Sequence, residues 1–262
     1  MSLASQAADR GTTPSAPTRR VGAATRRRAD DRFFSAMAIF SIGAVFLGFA
    51  RTYYLAGIYH AHLRDALIAV HGAAFTAWIV LFALQTGLVA RRRVALHRRL
   101  GVFGAVLAVA MIGLGLTAAT ESLALGFAPP GFPFGARVFY VRPVFAITTF
   151  AVLVGAALWV RSNAAAHKRL MLLATIALLG AAVGRWPFDI IRRVPPLINA
   201  ILDLMVMSIA VFDYSVLRRV HRATIAGGLF LMAMLYGAFF VGLSTPWNRV
   251  AAVAERAWRG WH

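Results

Sequence analysis

The chain has 262 residues, of which 60% are hydrophobic and 14% are charged, and it contains no cysteine. Soluble domains carry charge on about a quarter of their residues, so this composition excludes an ordinary soluble protein and indicates a polytopic membrane protein. Because the chain has no thiol, it cannot form disulfides, iron–sulfur clusters or thiolate metal sites. Any metal must bind to histidine, methionine, carboxylate or backbone groups.

The net charge of +19 comes from 28 basic and 9 acidic residues. The basic residues form clusters between apolar runs, which is typical of charge that orients a membrane protein beside anionic lipid headgroups. We therefore expect the lipid bilayer as a partner, leave a membrane-protein partner open, and expect no nucleic acid.

The two ends of the chain differ in composition from its centre. Residues 1–32 lack apolar periodicity and predict a disordered basic arm. Residues 33–245 hold all of the long apolar runs and form one predicted transmembrane domain. Residues 246–262 place Trp247 and Trp261 among basic residues, which predicts a short tail at the membrane surface.

A membrane-spanning helix needs about 20 mostly apolar residues, and such a run must be helical because the bilayer interior has no water to bind its backbone. Seven runs meet or approach this length: Phe33–Ala50, Ala66–Ala90, Leu100–Thr120, Pro143–Val160, Leu170–Gly184, Leu197–Leu217 and Ala223–Leu243. The predicted fold class is therefore all-α, with seven transmembrane helices in one bundle. We expect the short fifth span to extend to Trp186. Within residues 122–142 we expect the turn-rich segment from Pro129 to Gly135 to be non-helical and to cap the bundle.

The distribution of Lys and Arg predicts the orientation. With the N-terminus inside, the inner segments hold 18 of the 28 basic residues, including the cluster from Arg91 to Arg99. Since cytoplasmic loops of membrane proteins are enriched in Lys and Arg, we expect a cytoplasmic N-terminus and a periplasmic C-terminus.

Three spans begin with a histidine followed by a basic residue: His97-Arg98, His167-Lys168 and His221-Arg222. This regularity leaves open an architecture of one helix followed by three repeated helical hairpins. It also leaves two chemical interpretations open. The three imidazoles can ligate a haem b or a metal ion at one depth, or they can be interfacial anchors for lipid phosphates. His60, His62 and His71 form a second candidate metal cluster on the outer side.

Two spans carry the polar groups that are most costly to bury. In the second span His71, Phe75, Trp78 and Gln85 share one helix face, which should point into the bundle. The sixth span carries Asn199, Asp203 and Asp213. An Asp inside a membrane needs a partner or a water-filled cavity, or it must be protonated. The candidate partners are Arg142, Arg185 or His71 for Asp203, and Arg99, Arg169, Arg219 or a helix-start histidine for Asp213.

The motif set resembles a group of bacterial seven-helix inner-membrane proteins that has no established activity. The strings that carry this resemblance are His71-Gly72-Ala73-Ala74-Phe75-Thr76-Ala77-Trp78, Gln85-Thr86-Gly87 and His97-Arg98-Arg99-Leu100-Gly101. The resemblance covers the chain after the arm. It implies a seven-helix architecture and a bacterial inner-membrane location, and it implies no reaction.

Three functions remain compatible with the sequence. The first is a non-catalytic membrane subunit or assembly protein in which buried His and Asp residues pair structurally. The second is a redox protein that binds haem b or a metal through His97, His167 and His221, with His71 as a further ligand. The third is a proton-coupled transporter of small molecules whose path is lined by Asp203, Asp213 and His71. Enzyme activity is left undecided.

Overall fold

The computed structural model of the chain describes residues 17–60, 65–129 and 132–261. Its helices are α1 (Pro17–Phe49), α2 (Ala66–Ala90), α3 (Val94–Ala124), α4 (Gly135–Trp159), α5 (Ala164–Val183), α6 (Asp189–Arg193), α7 (Pro196–Leu217), α8 (Arg222–Leu243) and α9 (Thr245–Trp261). A π-helical turn, Ala50–Tyr54, continues α1. Seven of these helices, all except α6 and α9, are long and apolar enough to cross a membrane. This confirms the predicted all-α bundle.

Helix α5 lies in the middle of the bundle, where it packs against α1, α4, α7 and α8. The other six long helices surround it in the order α1, α2, α3, α4, α8 and α7, each in contact with the next. In α5, 67% of the apolar stretch is buried, against at most 39% in any other long helix of the described residues. The shortest predicted span is therefore the axis of the fold, and most of its apolar side chains are buried inside the protein.

Four helices differ from the predicted spans. Helix α3 runs from Val94 to Ala124, where Leu100–Thr120 was predicted. Helix α1 already begins at Pro17, so the second half of the predicted arm is helical, while residues 1–16 lie outside the described residues. Helix α4 begins at Gly135 and contains Pro143, which membrane helices tolerate because neighbouring groups satisfy the freed backbone carbonyl. Helix α5 extends backward to Ala164 and not forward to Trp186. Its N-terminus is capped by Asn163, whose side chain accepts from the Ala166 amide at 3.2 Å.

The C-terminal tail forms the amphipathic helix α9, which packs on α3, α4 and α8. The indole nitrogen of Trp247 donates to the Arg137 carbonyl at 2.9 Å, and Arg259 Nη2 donates to the Ala124 carbonyl at 2.8 Å. Arg259 thus satisfies a carbonyl at the end of α3. The helix is tied to the bundle, and its position at the membrane surface stays a prediction.

Candidate functional site

The turns between α2 and α3, α4 and α5, and α7 and α8 lie at one end of the bundle, which we call the basic end (residues 91–93, 160–163 and 218–221). Helices α3, α5 and α8 all begin there. His97 is the fourth residue of α3 and His167 is the fourth residue of α5, whereas His221 immediately precedes α8. The first two histidines therefore lie one turn inside their helices, deeper than the predicted spans placed them.

His97 and His167 are brought together at the basic end. Their ring centroids are 6.3 Å apart and their planes are nearly perpendicular, at 82°. The Nδ1 atom of His167 lies 2.8 Å from the Ala157 carbonyl oxygen on α4. A carbonyl oxygen can only accept, so this Nδ1 carries the hydrogen and the Nε2 atom of the neutral ring keeps its lone pair. His167 therefore has one fixed nitrogen and one nitrogen that can ligate a metal.

Gln85 on α2 reaches the same place. Its Nε2 atom donates to the backbone carbonyl of His97 at 3.2 Å. Two further polar atoms of these residues, Gln85 Oε1 and His97 Nδ1, are buried without a hydrogen-bond partner in the described part of the chain. The site thus contains two imidazoles and one carboxamide, contributed by three different helices.

His221 has a different role from the other two helix-start histidines. Its Nδ1 accepts from the Ala223 amide at 3.1 Å and caps α8, while its own backbone amide donates to Asp213 at 3.1 Å. Burial, and next the positive charge of Arg169, lower the pKa of His221, which favours the neutral ring that can accept this bond. No ring contact joins it to His97 or His167 among the described residues. The predicted three-histidine set is therefore a pair plus a helix cap.

Asp213 and Arg169 form a buried ion pair beside this site. The side chains are 0% and 2% exposed. Arg169 Nε donates to the two carboxylate oxygens at 2.9 and 3.1 Å, and its Nη2 also donates to Asp213. Asp213 Oδ2 accepts further from Thr224 Oγ1 at 2.5 Å and from the His221 amide. Arg169 was one of several predicted partners of Asp213, and it is the residue that pairs with Asp213 in the structure.

The Asp213 carboxylate has no free acceptor position, since an ionised carboxylate accepts about four hydrogen bonds and four donors surround it. Through these bonds it connects α5, α7 and the start of α8. A proton carrier needs a carboxylate that exchanges with water, whereas this one is buried and fully bonded. The geometry of Asp213 therefore favours a fixed structural pair over a step in a transport path.

The polar groups of the opposite end are arranged more loosely. Asp203 accepts from the Tyr236 hydroxyl on α8, and not from Arg142, Arg185 or His71 as the sequence suggested. The second Asp203 oxygen and Asn199 Oδ1 are buried without partners in the described residues. Arg185 donates to the Ala181 carbonyl at 2.8 Å and lies over the Phe49 ring. Within the described ranges Arg142 makes no ion pair.

The predicted polar face of α2 does point into the bundle. Trp78 is 3% exposed and its indole nitrogen donates to Thr175 on α5 at 3.3 Å. The His71 ring stacks on Phe75 at 4.2 Å, far along the helix from Gln85, and its Nδ1 is buried without a partner in the described residues. Of the outer histidine cluster, His62 lies outside the described residues.

Two side chains of these networks could not be predicted from the sequence. Thr224, which completes the shell of Asp213, is the third residue after a predicted helix-start histidine, but a lone threonine there carries no signal of its own. Tyr236 lies in the middle of an apolar run, and nothing in the sequence links it to Asp203, 33 residues earlier.

Within residues 17–60, 65–129 and 132–261 no group of three or more His, Cys, Asp or Glu side chains is placed to hold a metal ion. The chemically open feature of the basic end is thus a pair of imidazoles. Comparison of the chain with protein-family models, with curated proteins and with solved structures finds no match, so the function must be argued from this geometry.

Proposed function

We propose that this integral membrane protein is a redox protein that binds haem b between His97 and His167. The observation that carries the proposal is the approach of these two imidazoles from α3 and α5 to a ring-centroid distance of 6.3 Å. Metal–imidazole bonds are about 2 Å long, so rings at this spacing would leave room for one iron between them, which His97 and His167 would hold through one ring nitrogen each.

The number of ligands favours haem over a bare ion. A structural zinc site takes four protein ligands and a catalytic one takes three, and the described residues offer no such group. Haem iron needs only two protein ligands, because the porphyrin supplies the other four. When bound, the group would supply one-electron chemistry, and this chain's own residues would hold and orient it.

Two arginines beside the pair suit the two carboxylates of a haem. Arg98 and Arg99 are exposed at the same end and make no ion pair with a described residue. Arginine pairs readily with carboxylates, so these two side chains can bind haem propionates.

The absorption spectrum of the purified protein tests the proposal. We expect a Soret band and one haem per chain by pyridine haemochrome assay, with the band lost in His97→Ala and in His167→Ala. His97→Met should retain haem with an altered spectrum and a higher midpoint potential, because a His/Met axial pair raises the potential of haem iron.

His221→Asn is the matched control for these variants. It removes a helix-start histidine while keeping a side chain that can cap α8, so the Soret band should persist. A colourless preparation that elutes as a single folded species would overturn the proposal. Haem bound at full occupancy in both alanine variants would overturn it as well.

A second function is favoured by the Arg169–Asp213 network. A buried, fully bonded ion pair fixes three helices and does no chemistry, which suits a non-catalytic membrane subunit or assembly protein. A folded preparation without haem or metal would favour this alternative. In either case we propose a bacterial inner membrane as the location, which the motif resemblance implies. The charge distribution supports a cytoplasmic basic end.

A further inference from the structure

Two buried polar atoms at the histidine pair have no partner in the described part of the chain, and they are complementary. Gln85 Oε1 is an acceptor that cannot donate, and His97 Nδ1 belongs to a ring that can carry a hydrogen on either nitrogen. Buried polar atoms in native proteins are bonded in the great majority of cases. A donor and an acceptor that are both unsatisfied at one site therefore suggest a single missing bond between them.

The backbone already holds the Gln85 carboxamide against His97. Gln85 Nε2 donates to the His97 carbonyl at 3.2 Å, so the amide lies beside the residue that carries the ring. The Oε1 atom of Gln85 then has the His97 ring as its available partner.

We propose that Gln85 is a positioning residue for His97. Its Oε1 accepts a hydrogen bond from His97 Nδ1–H, directly or through one water molecule, and His97 thereby presents Nε2 to the iron. This inference rests on the proposed haem site for its function, but the hydrogen bond itself can be measured without haem.

The other imidazole, that of His167, is positioned in the same way. His167 Nδ1 donates to the Ala157 carbonyl, which leaves its Nε2 as the ligating atom. With the Gln85 bond, both rings have the tautomer in which Nδ1 is held by the protein and Nε2 is free. Ligating histidines usually donate their second N–H to a carboxylate, a carbonyl or water, which fixes the ring and increases its basicity. The opposite tautomer of His97 would leave Oε1 without a donor.

Three variants at neighbouring positions test the inference. Gln85→Leu keeps the approximate size and removes the acceptor, while Gln85→Glu keeps an acceptor and adds negative charge. Thr86→Val is the control, because the Thr86 hydroxyl bonds only to the Phe82 carbonyl of its own helix at 2.8 Å. Loss of an outer-shell partner of this kind typically weakens metal binding about tenfold to a hundredfold.

We expect Gln85→Leu to weaken haem binding by that factor, and Gln85→Glu to retain haem with a lower midpoint potential, because a more electron-rich imidazole stabilises ferric iron. Thr86→Val should leave both quantities unchanged. Haem affinity and potential in Gln85→Leu equal to those of the unmodified protein would overturn the inference.

Nitrogen-15 NMR of the histidine rings in the haem-free protein separates this inference from the proposed function. We expect His97 to be protonated on Nδ1, and this preference to be lost in Gln85→Leu. If the Soret band is absent and His97 is protonated on Nδ1, the haem proposal is refuted and the Gln85 hydrogen bond is supported. A Soret band with His97 protonated on Nε2 in the haem-free protein refutes the Gln85 bond alone.

Discussion

Arg169 shows how a charged residue can occupy the centre of an apolar bundle. Its guanidinium donates to Asp213 and, through Nη1, to the Ala165 carbonyl at 2.7 Å. Taking two charges out of water is expensive, and the attraction between them compensates only when the geometry is good and the remaining atoms are bonded. Thr224 and the His221 amide supply those remaining bonds. The pair is therefore a matched unit, in which each charge depends on the other.

The effects of removing the two members should not be additive. We expect Arg169→Met and Asp213→Asn each to destabilise the protein by about 3–5 kcal/mol, because each leaves an uncompensated buried group. The double variant Arg169→Met/Asp213→Leu should lose less than the sum of the two. Thermal unfolding in detergent measures these differences.

Thr224→Val serves as the comparison at this site, since it removes a single hydrogen bond and should cost about 1–3 kcal/mol. Additive effects of the Arg169 and Asp213 substitutions would contradict the interpretation of the pair as one coupled unit.

Helices α1 and α5 approach each other closely at Gly48. A Cβ atom built on Gly48 would lie 2.2 Å from the Ala182 carbonyl oxygen, a contact that only a shift of the backbone can relieve. The indole nitrogen of Trp186, three residues after the end of α5, donates to the Ala44 carbonyl at 3.0 Å and ties this segment to α1. Small residues are what allow membrane helices to approach so closely.

Gly48→Ala should therefore destabilise the bundle by separating α1 from α5. Gly43→Ala, on the same helix, is the control: nothing lies within 4 Å of its added Cβ, and alanine is favoured over glycine inside a helix by about 1 kcal/mol. We expect a lower melting temperature for the first variant and an unchanged or higher one for the second. Equal behaviour of the two would refute the close contact.

At the scale of the whole molecule, the basic end and the aromatic opposite end are distinct. The basic end holds the turns rich in arginine, whereas the opposite end holds rings in edge-to-face contact, among them Phe132 with Phe139 and Phe134 with Phe239. Positive charge marks the cytoplasmic side of membrane proteins. The two ends should therefore face different compartments.

The absence of cysteine from the sequence makes this orientation easy to measure. A single cysteine introduced as Ser162→Cys lies in the turn between α4 and α5, and one introduced as Ala128→Cys lies in the loop between α3 and α4. We expect a membrane-impermeant maleimide to label Ala128→Cys in intact cells, and Ser162→Cys only after permeabilisation. The reverse pattern would invert the proposed topology.

The sequence by itself determined the number of long helices, because each apolar run must satisfy its backbone bonds internally in a bilayer. Hydropathy also located α2, α7 and α8 to within a residue. It placed the start of α5 too late, because Lys168 and Arg169 look like the end of a loop when their partners, Asp30 and Asp213, are unknown.

Only the tertiary structure decided which polar groups meet. Helix periodicity places Gln85 on an inward face, but it gives no information about which of six other helices that face contacts. The arrangement around α5 brings Gln85, His97 and His167 together and separates His221 from them. The physical reason is that a residue's partner depends on helix packing between segments far apart in the chain, and the apolar side chains that direct this packing are nearly alike in every helix.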